Sequence, residues 1–153
     1  MVRDKEDVHS LLEQAHKELL AAIDGLTLEQ MVMPVFADWS VKDILAHIVS
    51  WEEHTLLDFQ RLTRGHMPAL ASFKQEDLDN WNALVMSLRR NFPLDQVMHE
   101  LEANRKATIA ALDVLPGERL AQGQFARIWA TITAGHDHEH AEHIRSWRQK
   151  EGI

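Results

Sequence analysis

The chain has 153 residues, 45 % of them hydrophobic and 26 % charged, which predicts one globular domain over residues 1–153 with a substantial core. No apolar run approaches the roughly 20 residues that span a bilayer; the net charge is −8 and the basic residues are scattered, so both membrane insertion and nucleic-acid binding are disfavoured. Cysteine is absent, which removes disulfides, thiolate nucleophiles and sulfur-ligated metals together and leaves any metal to nitrogen and oxygen ligands.

The opening MVRDKEDVHS alternates charge where a secretory signal needs an apolar segment, and a cytoplasmic protein is expected. Within residues 5–24, Val8, Leu12, Ala15, Leu19 and Ala22 recur at alternating spacings of four and three, the stripe of a first helix. A turn-like run centred on Thr27 follows and ends at Ser40, with Asp43 three residues later, a capping-box start for a second helix. Ile44, Leu45, Ile48, Trp51, Phe59 and Leu62 carry that helix to about Arg64, where Gly65 and Pro68 break it.

The stretch KQEDLDNWNALVMSLRRNF reads as a shorter helix ended before Pro93. Pro93 suits the first turn of the next helix, which Pro116 and Gly117 close, and a loop leads to a final helix from about Phe125 to Lys150. No segment shows the period-two alternation of a strand. The expectation is an all-α four-helix bundle with an accessory helix in the long connection between bundle helices two and three.

The last helix carries four histidines in the eight residues from His136 to His143. At about 100° per residue, Phe125, Trp129, Ile132, His136, His140, His143 and Trp147 fall within a sector of roughly 60° to 80°, while His138 lies nearly opposite and is expected in solvent. His136 and His140, four apart, stand side by side and can reach one ion, given a third ligand. His47 flanks the apolar stripe of the second helix and is nearer its centre than His54, so it is the candidate third ligand.

Neutral imidazoles suit zinc, nickel, copper or iron(II), and three protein ligands with further positions open describe a reactive site more than a structural one. A lone inward histidine is more often a hydrogen-bonded core or boundary residue. Two at this spacing need a metal or a hydrogen-bond network to offset desolvation. His143 is a pocket or supporting residue, and His9, His16, His66 and His99 carry no assigned role. Trp51 and Trp129 line a pocket if the five tryptophans enclose one, although aromatics at helical spacing are more often core. Glu139, placed on the inward side, and Glu52, in the second helix's stripe, are weak candidates for a base or an extra ligand.

DWSVKDILAHIVSWEEH followed by GHDHEHAEHIRSW resembles the DinB/YfiT-like superfamily of small four-helix proteins, in particular its ClbS/DfsB-like branch. The resemblance spans nearly the whole chain in element order. It implies a metal site of one histidine from the second helix and an H-x-x-x-H pair from the last, here His47, His136 and His140. It also implies chemistry on a low-molecular-weight thiol, or protection against reactive metabolites. The sequence thus leads to a divalent-metal enzyme (zinc, nickel or iron) acting on a small molecule by thiol S-transfer or hydrolysis of an electrophile, compatible with a homodimer. The alternative is a non-catalytic protein that binds or sequesters a small metabolite.

Overall fold

A computed structural model describes residues 2–153. Its helices are α1 (Val2–Ile23), α2 (Leu28–Met31), α3 (Val41–Thr63), α4 (Gln75–Arg89), α5 (Leu94–Asp113) and α6 (Phe125–Glu151), with two short strands, β1 (Pro34–Phe36) and β2 (Trp39–Ser40). The four long helices α1, α3, α5 and α6 make the bundle, and α4 is the accessory helix in the connection from α3 to α5. In this bundle α1 packs along α6 and α3 along α5, while α3 and α6 meet more loosely between the two pairs.

Local chemistry sets the ends of α3. The Ser40 hydroxyl accepts from the Asp43 amide at 3.1 Å and the Asp43 carboxylate accepts from the Ser40 amide at 3.0 Å, a buried capping box that fixes the entry of the helix. At the other end Gly65 takes φ +74° and the chain turns back, with the His66 amide donating to the Arg61 carbonyl and the Gly65 amide to that of Leu62. This is a Schellman closure, which needs a left-handed residue. Asp58, fully buried, then accepts from the Ala69 and Leu70 amides at 2.7 and 3.1 Å and ties the following 3-10 turn to α3.

Three sequence expectations need correction. Strands were not expected, yet Pro34–Phe36 pairs antiparallel with Trp39–Ser40. Three and two residues are too few to show alternation. Pro93 caps α5 from outside rather than sitting in its first turn. Ile132 is 45 % exposed, not inward. The buried face of α6 is made of Ala126, Trp129, Ala130, Thr133, Ala134, Asp137, His140, Ala141, Ile144 and Trp147, so it keeps Trp129, His140 and Trp147 from the expected stripe while its centre is rotated roughly 80° from the centre of that stripe.

Two apolar clusters fill the bundle. One joins Leu19, Ile44, Leu45, Ile48, Leu101 and Ile144; the other joins Leu12, Phe59, Leu112, Leu120 and Trp129. Between them lies a charged layer. Arg105 of α5, 3 % exposed, donates to Glu52 of α3 at 2.6 Å, to Asp137 of α6 at 2.7 Å and to the Leu12 carbonyl of α1 at 2.9 Å. Burial pushes both carboxyls up, against the pull of the guanidinium.

Removing the arginine strands two buried carboxylates, so Arg105→Met is expected to cost about 3–5 kcal/mol in urea unfolding. Replacing the three together, as Arg105→Met, Glu52→Leu and Asp137→Leu, is expected to recover most of that loss. A triple variant as unstable as the single one would show that the ions contribute more than their desolvation costs.

Candidate metal centre

His47 lies two turns into α3 from its capping box, and His136 and His140 lie one turn apart near the middle of α6. The loose α3–α6 seam brings them together. His47 Nε2 is 2.8 Å from His136 Nε2, and His140 Nε2 is 3.1 Å from the same atom. All three ligand atoms lie within 4.8 Å of one another, and among the described residues no other group of histidine and carboxylate side chains converges in this way.

The rings meet edge to face, with centroids 4.7 Å apart for His47 and His136 and 4.5 Å for His136 and His140. Aromatic neighbours hold them in place. Trp39 sits 4.9 Å from His47, and Trp51 sits 5.6 Å from His136. Trp51 is itself fixed by donating its indole N–H to the Thr133 hydroxyl at 3.4 Å. The Nδ1 atoms of all three histidines are buried and have no protein hydrogen-bond partner, so ring orientation here rests on packing.

Burial pulls the His47 imidazole down from its ordinary 6.5 to about 4. Burial, aided by the His140 and His47 rings, takes His136 to about 2, and burial with His47 and His143 takes His140 to about 3. All three are neutral at pH 7, with lone pairs free to coordinate. Ligands at about 2.0–2.1 Å from an ion, at tetrahedral to octahedral angles, stand about 2.9–3.4 Å apart, so the 2.8 and 3.1 Å separations fit a shared cation. Three converging neutral nitrogens otherwise face one another with too few protons: one N–H satisfies one neighbour only.

The remaining candidates are placed as follows. His143 stacks on Phe36 of β1 at 4.7 Å and lies 5.6 Å from His140, at the edge of the centre. Trp129 is buried, 5.3 Å from Trp51. Glu139, expected inward, is exposed, because it lies on the solvent side of the rotated α6 face. Glu52 is buried as expected but engages Arg105 rather than the histidines. His54 packs between Trp81 and Phe73, and His138, on the far side, pairs with Glu18 at 2.6 Å. Phe36, on the hairpin, carries no signal in the sequence, whereas Trp39 is one of the five tryptophans weighed there as pocket lining or core.

The second and last long helices of an all-α four-helix bundle thus bring three neutral histidines together at the α3–α6 seam. The chain belongs to the DinB superfamily, whose sequence pattern matches residues 11–144. In fold it is similar to an uncharacterised protein of Escherichia coli UTI89, known from a crystal structure, with a TM-score of 0.82 over 97 % of this chain and 95 % of that one at 12 % identity. No curated protein matches the sequence. Among the described residues no helix is long and apolar enough to cross a membrane.

The buried imidazoles make a pH prediction. Each has a folded pKa below its unfolded value of 6.5, so below about pH 6.5 the unfolded chain takes up protons that the fold does not. Stability is therefore fully present above that pH and falls as pH drops toward about 4, where His47 begins to titrate in the fold. The slope is at most about 1.4 kcal/mol per pH unit for each histidine. Metal-free wild type is expected to lose stability more steeply over this window than a His47→Gln, His136→Gln, His140→Gln triple variant. Parallel curves in pH-dependent thermal unfolding would show that the rings are not held neutral.

Proposed function

We propose that the protein is a divalent-metal-dependent enzyme acting on a small molecule, with His47, His136 and His140 as the metal ligands. The observation that carries this is the convergence of three neutral imidazoles, His47 and His140 buried and His136 half-buried, with the Nε2 atoms of His47 and His140 2.8 and 3.1 Å from that of His136. Superfamily membership is compatible with it. The DWSVKD and GHDHEH motifs further favour the ClbS/DfsB-like branch and, with it, a cytoplasmic enzyme that transfers a small thiol or hydrolyses a reactive electrophile.

In this reading the ion supplies Lewis acidity, acidifying a thiol or water and polarising a substrate oxygen. The chain's own residues do the rest. The three histidines would hold the ion from the protein side and leave further coordination positions for water, a thiolate or a substrate oxygen. Trp39 and Trp51 hold the rings against rotation and keep bulk water from the ligand nitrogens. His143, stacked on Phe36, stands beside His140 at the edge of the centre, where it would meet a polar group of the substrate.

One observation favours a second reading. The Nε2 separations are also hydrogen-bond lengths, so the histidines can hold one another in a protein that only sequesters a metabolite. Elemental analysis of untagged protein separates the two. About one zinc, nickel or iron per chain is expected in wild type, following from the single three-ligand site, with loss of the metal in His136→Ala. No metal in wild type after reloading would leave the sequestering protein as the better account.

A further inference from the structure

The β1–β2 hairpin bridges α3 and α6 at the level of the histidines. From β2, Trp39 lies 4.9 Å from the ring of His47 on α3. From β1, Phe36 stacks on His143 of α6 at 4.7 Å with the ring planes 9° apart, and His143 lies 5.6 Å from His140. One short segment thus touches both helices that carry the cluster. His47 and His140 are only 6 % and 7 % exposed, and these aromatic contacts are part of what covers them.

The hairpin is weakly held. A two-stranded ladder this short is not stable on its own, and its tip, Phe36 to Asp38, is exposed. The turn takes Ala37 to φ +51°, in the left-handed region where a Cβ crowds the following carbonyl, so the closed turn carries backbone strain. A cavity borders each strand. One of about 430 Å³ separates Trp39 from Asn82, Ala83 and Met86 of α4, and one of about 360 Å³ lies between β1 and Trp147 of α6. The hairpin therefore has room to move, while the Thr27–Gln30 capping box before it and the Ser40–Asp43 box after it anchor the chain on either side.

We infer that the β1–β2 hairpin is a strap that opens, with Phe36 leaving His143 and Trp39 leaving His47, to admit a ligand to the His47–His136–His140 cluster, and closes over it again. The opening is local: two aromatic contacts and a two-stranded ladder break while the capping boxes and the helices stay formed. Strain at Ala37 favours the open form and the aromatic contacts favour the closed one, and these opposing contributions are of similar size. What enters, a metal ion and then a small molecule, rests on the metal reading above; the motion of the strap does not.

Diethyl pyrocarbonate, which acylates neutral imidazoles, reads the opening on metal-free protein at pH 7, with each histidine followed by peptide mass spectrometry. Wild type is expected to label slowly at His47 and His140 and quickly at the exposed His66 and His99. Phe36→Ala removes the stacked contact and is expected to speed labelling of His47 and His140 about tenfold. Ala37→Gly, which accepts the φ of the turn without strain, is expected to slow it about threefold. Ala37→Pro, whose ring holds φ at about −65°, cannot close the turn and should label at least as fast as Phe36→Ala. His16, 12 % exposed and paired with Glu102 between α1 and α5, reports opening of the whole bundle and is expected to keep its wild-type rate in every variant.

Equal rates at His47 and His140 in wild type, Phe36→Ala and Ala37→Gly would overturn the strap, since the reagent would then reach the cluster by another side. Faster labelling with an equal gain at His16 would overturn it as well, because the whole bundle would be opening. Ala37→Gly removes no contact and keeps the test decisive should Phe36→Ala unfold. Zinc uptake is measured on the same preparations. Labelling as expected with no zinc bound after reloading would keep the strap and sink the metal reading; bound zinc with equal labelling rates would do the reverse.

Discussion

One guanidinium touches all four long helices. Arg105 leaves α5, meets Glu52 on α3 and Asp137 on α6, and closes on a backbone carbonyl of α1. Apolar clusters above and below tolerate small slides of one helix past another; three charge-assisted bonds at fixed angles do not. Asp137 is the residue after His136, and Glu52 the residue after Trp51. The layer therefore sets the height and rotation at which α3 and α6 present the histidines and the indole. Such buried ions contribute little net stability once desolvation is counted, and their value here lies in registration.

The helices were legible because each carries a long periodic stripe and strong punctuation: the Ser40–Asp43 box, Gly65, Pro93, and Pro116 with Gly117. The histidine cluster was legible for the same reason, since His136 and His140 share a face and His47 flanks a stripe. The charged layer was not. Arg105, Glu52 and Asp137 are single charged residues in helices full of them, and only the three-dimensional meeting of α3, α5 and α6 distinguishes them from solvated ones. The hairpin was invisible because five paired residues carry no usable period.

The error on α6 has a physical cause. Its sequence stripe was drawn through the largest apolar residues, whereas the helix buries the face on which Ala126, Ala130, Ala134 and Ala141 lie. Alanines let α1 approach closely, so the tightest interface of the bundle is made of the least conspicuous side chains. Ile132 and Glu139 consequently turn outward, and the histidines move from the centre of the buried face to its border. A border position is what the proposed metal centre would need. Deeper in, three imidazoles would have no access to a substrate; further out, solvation would leave them free to protonate and to rotate.

The same division of residue sizes opens the seam. Small side chains draw α1 against α6, and α5 is drawn against α3 over Leu101 and Leu112. Between these pairs the bulk reverses: Trp51 and Trp129 stand between α3 and α6 and keep the two helices apart at the level of the histidines. The gap they hold open is filled at one end by the charged layer and at the other by Trp39 on the hairpin, which leans on His47. Three imidazoles fit in what remains, with neither carboxylates nor carbonyls to fix their outer nitrogens. Their geometry thus depends on tryptophan packing, and the aromatic residues of this bundle serve as the supports of its centre as much as parts of its core.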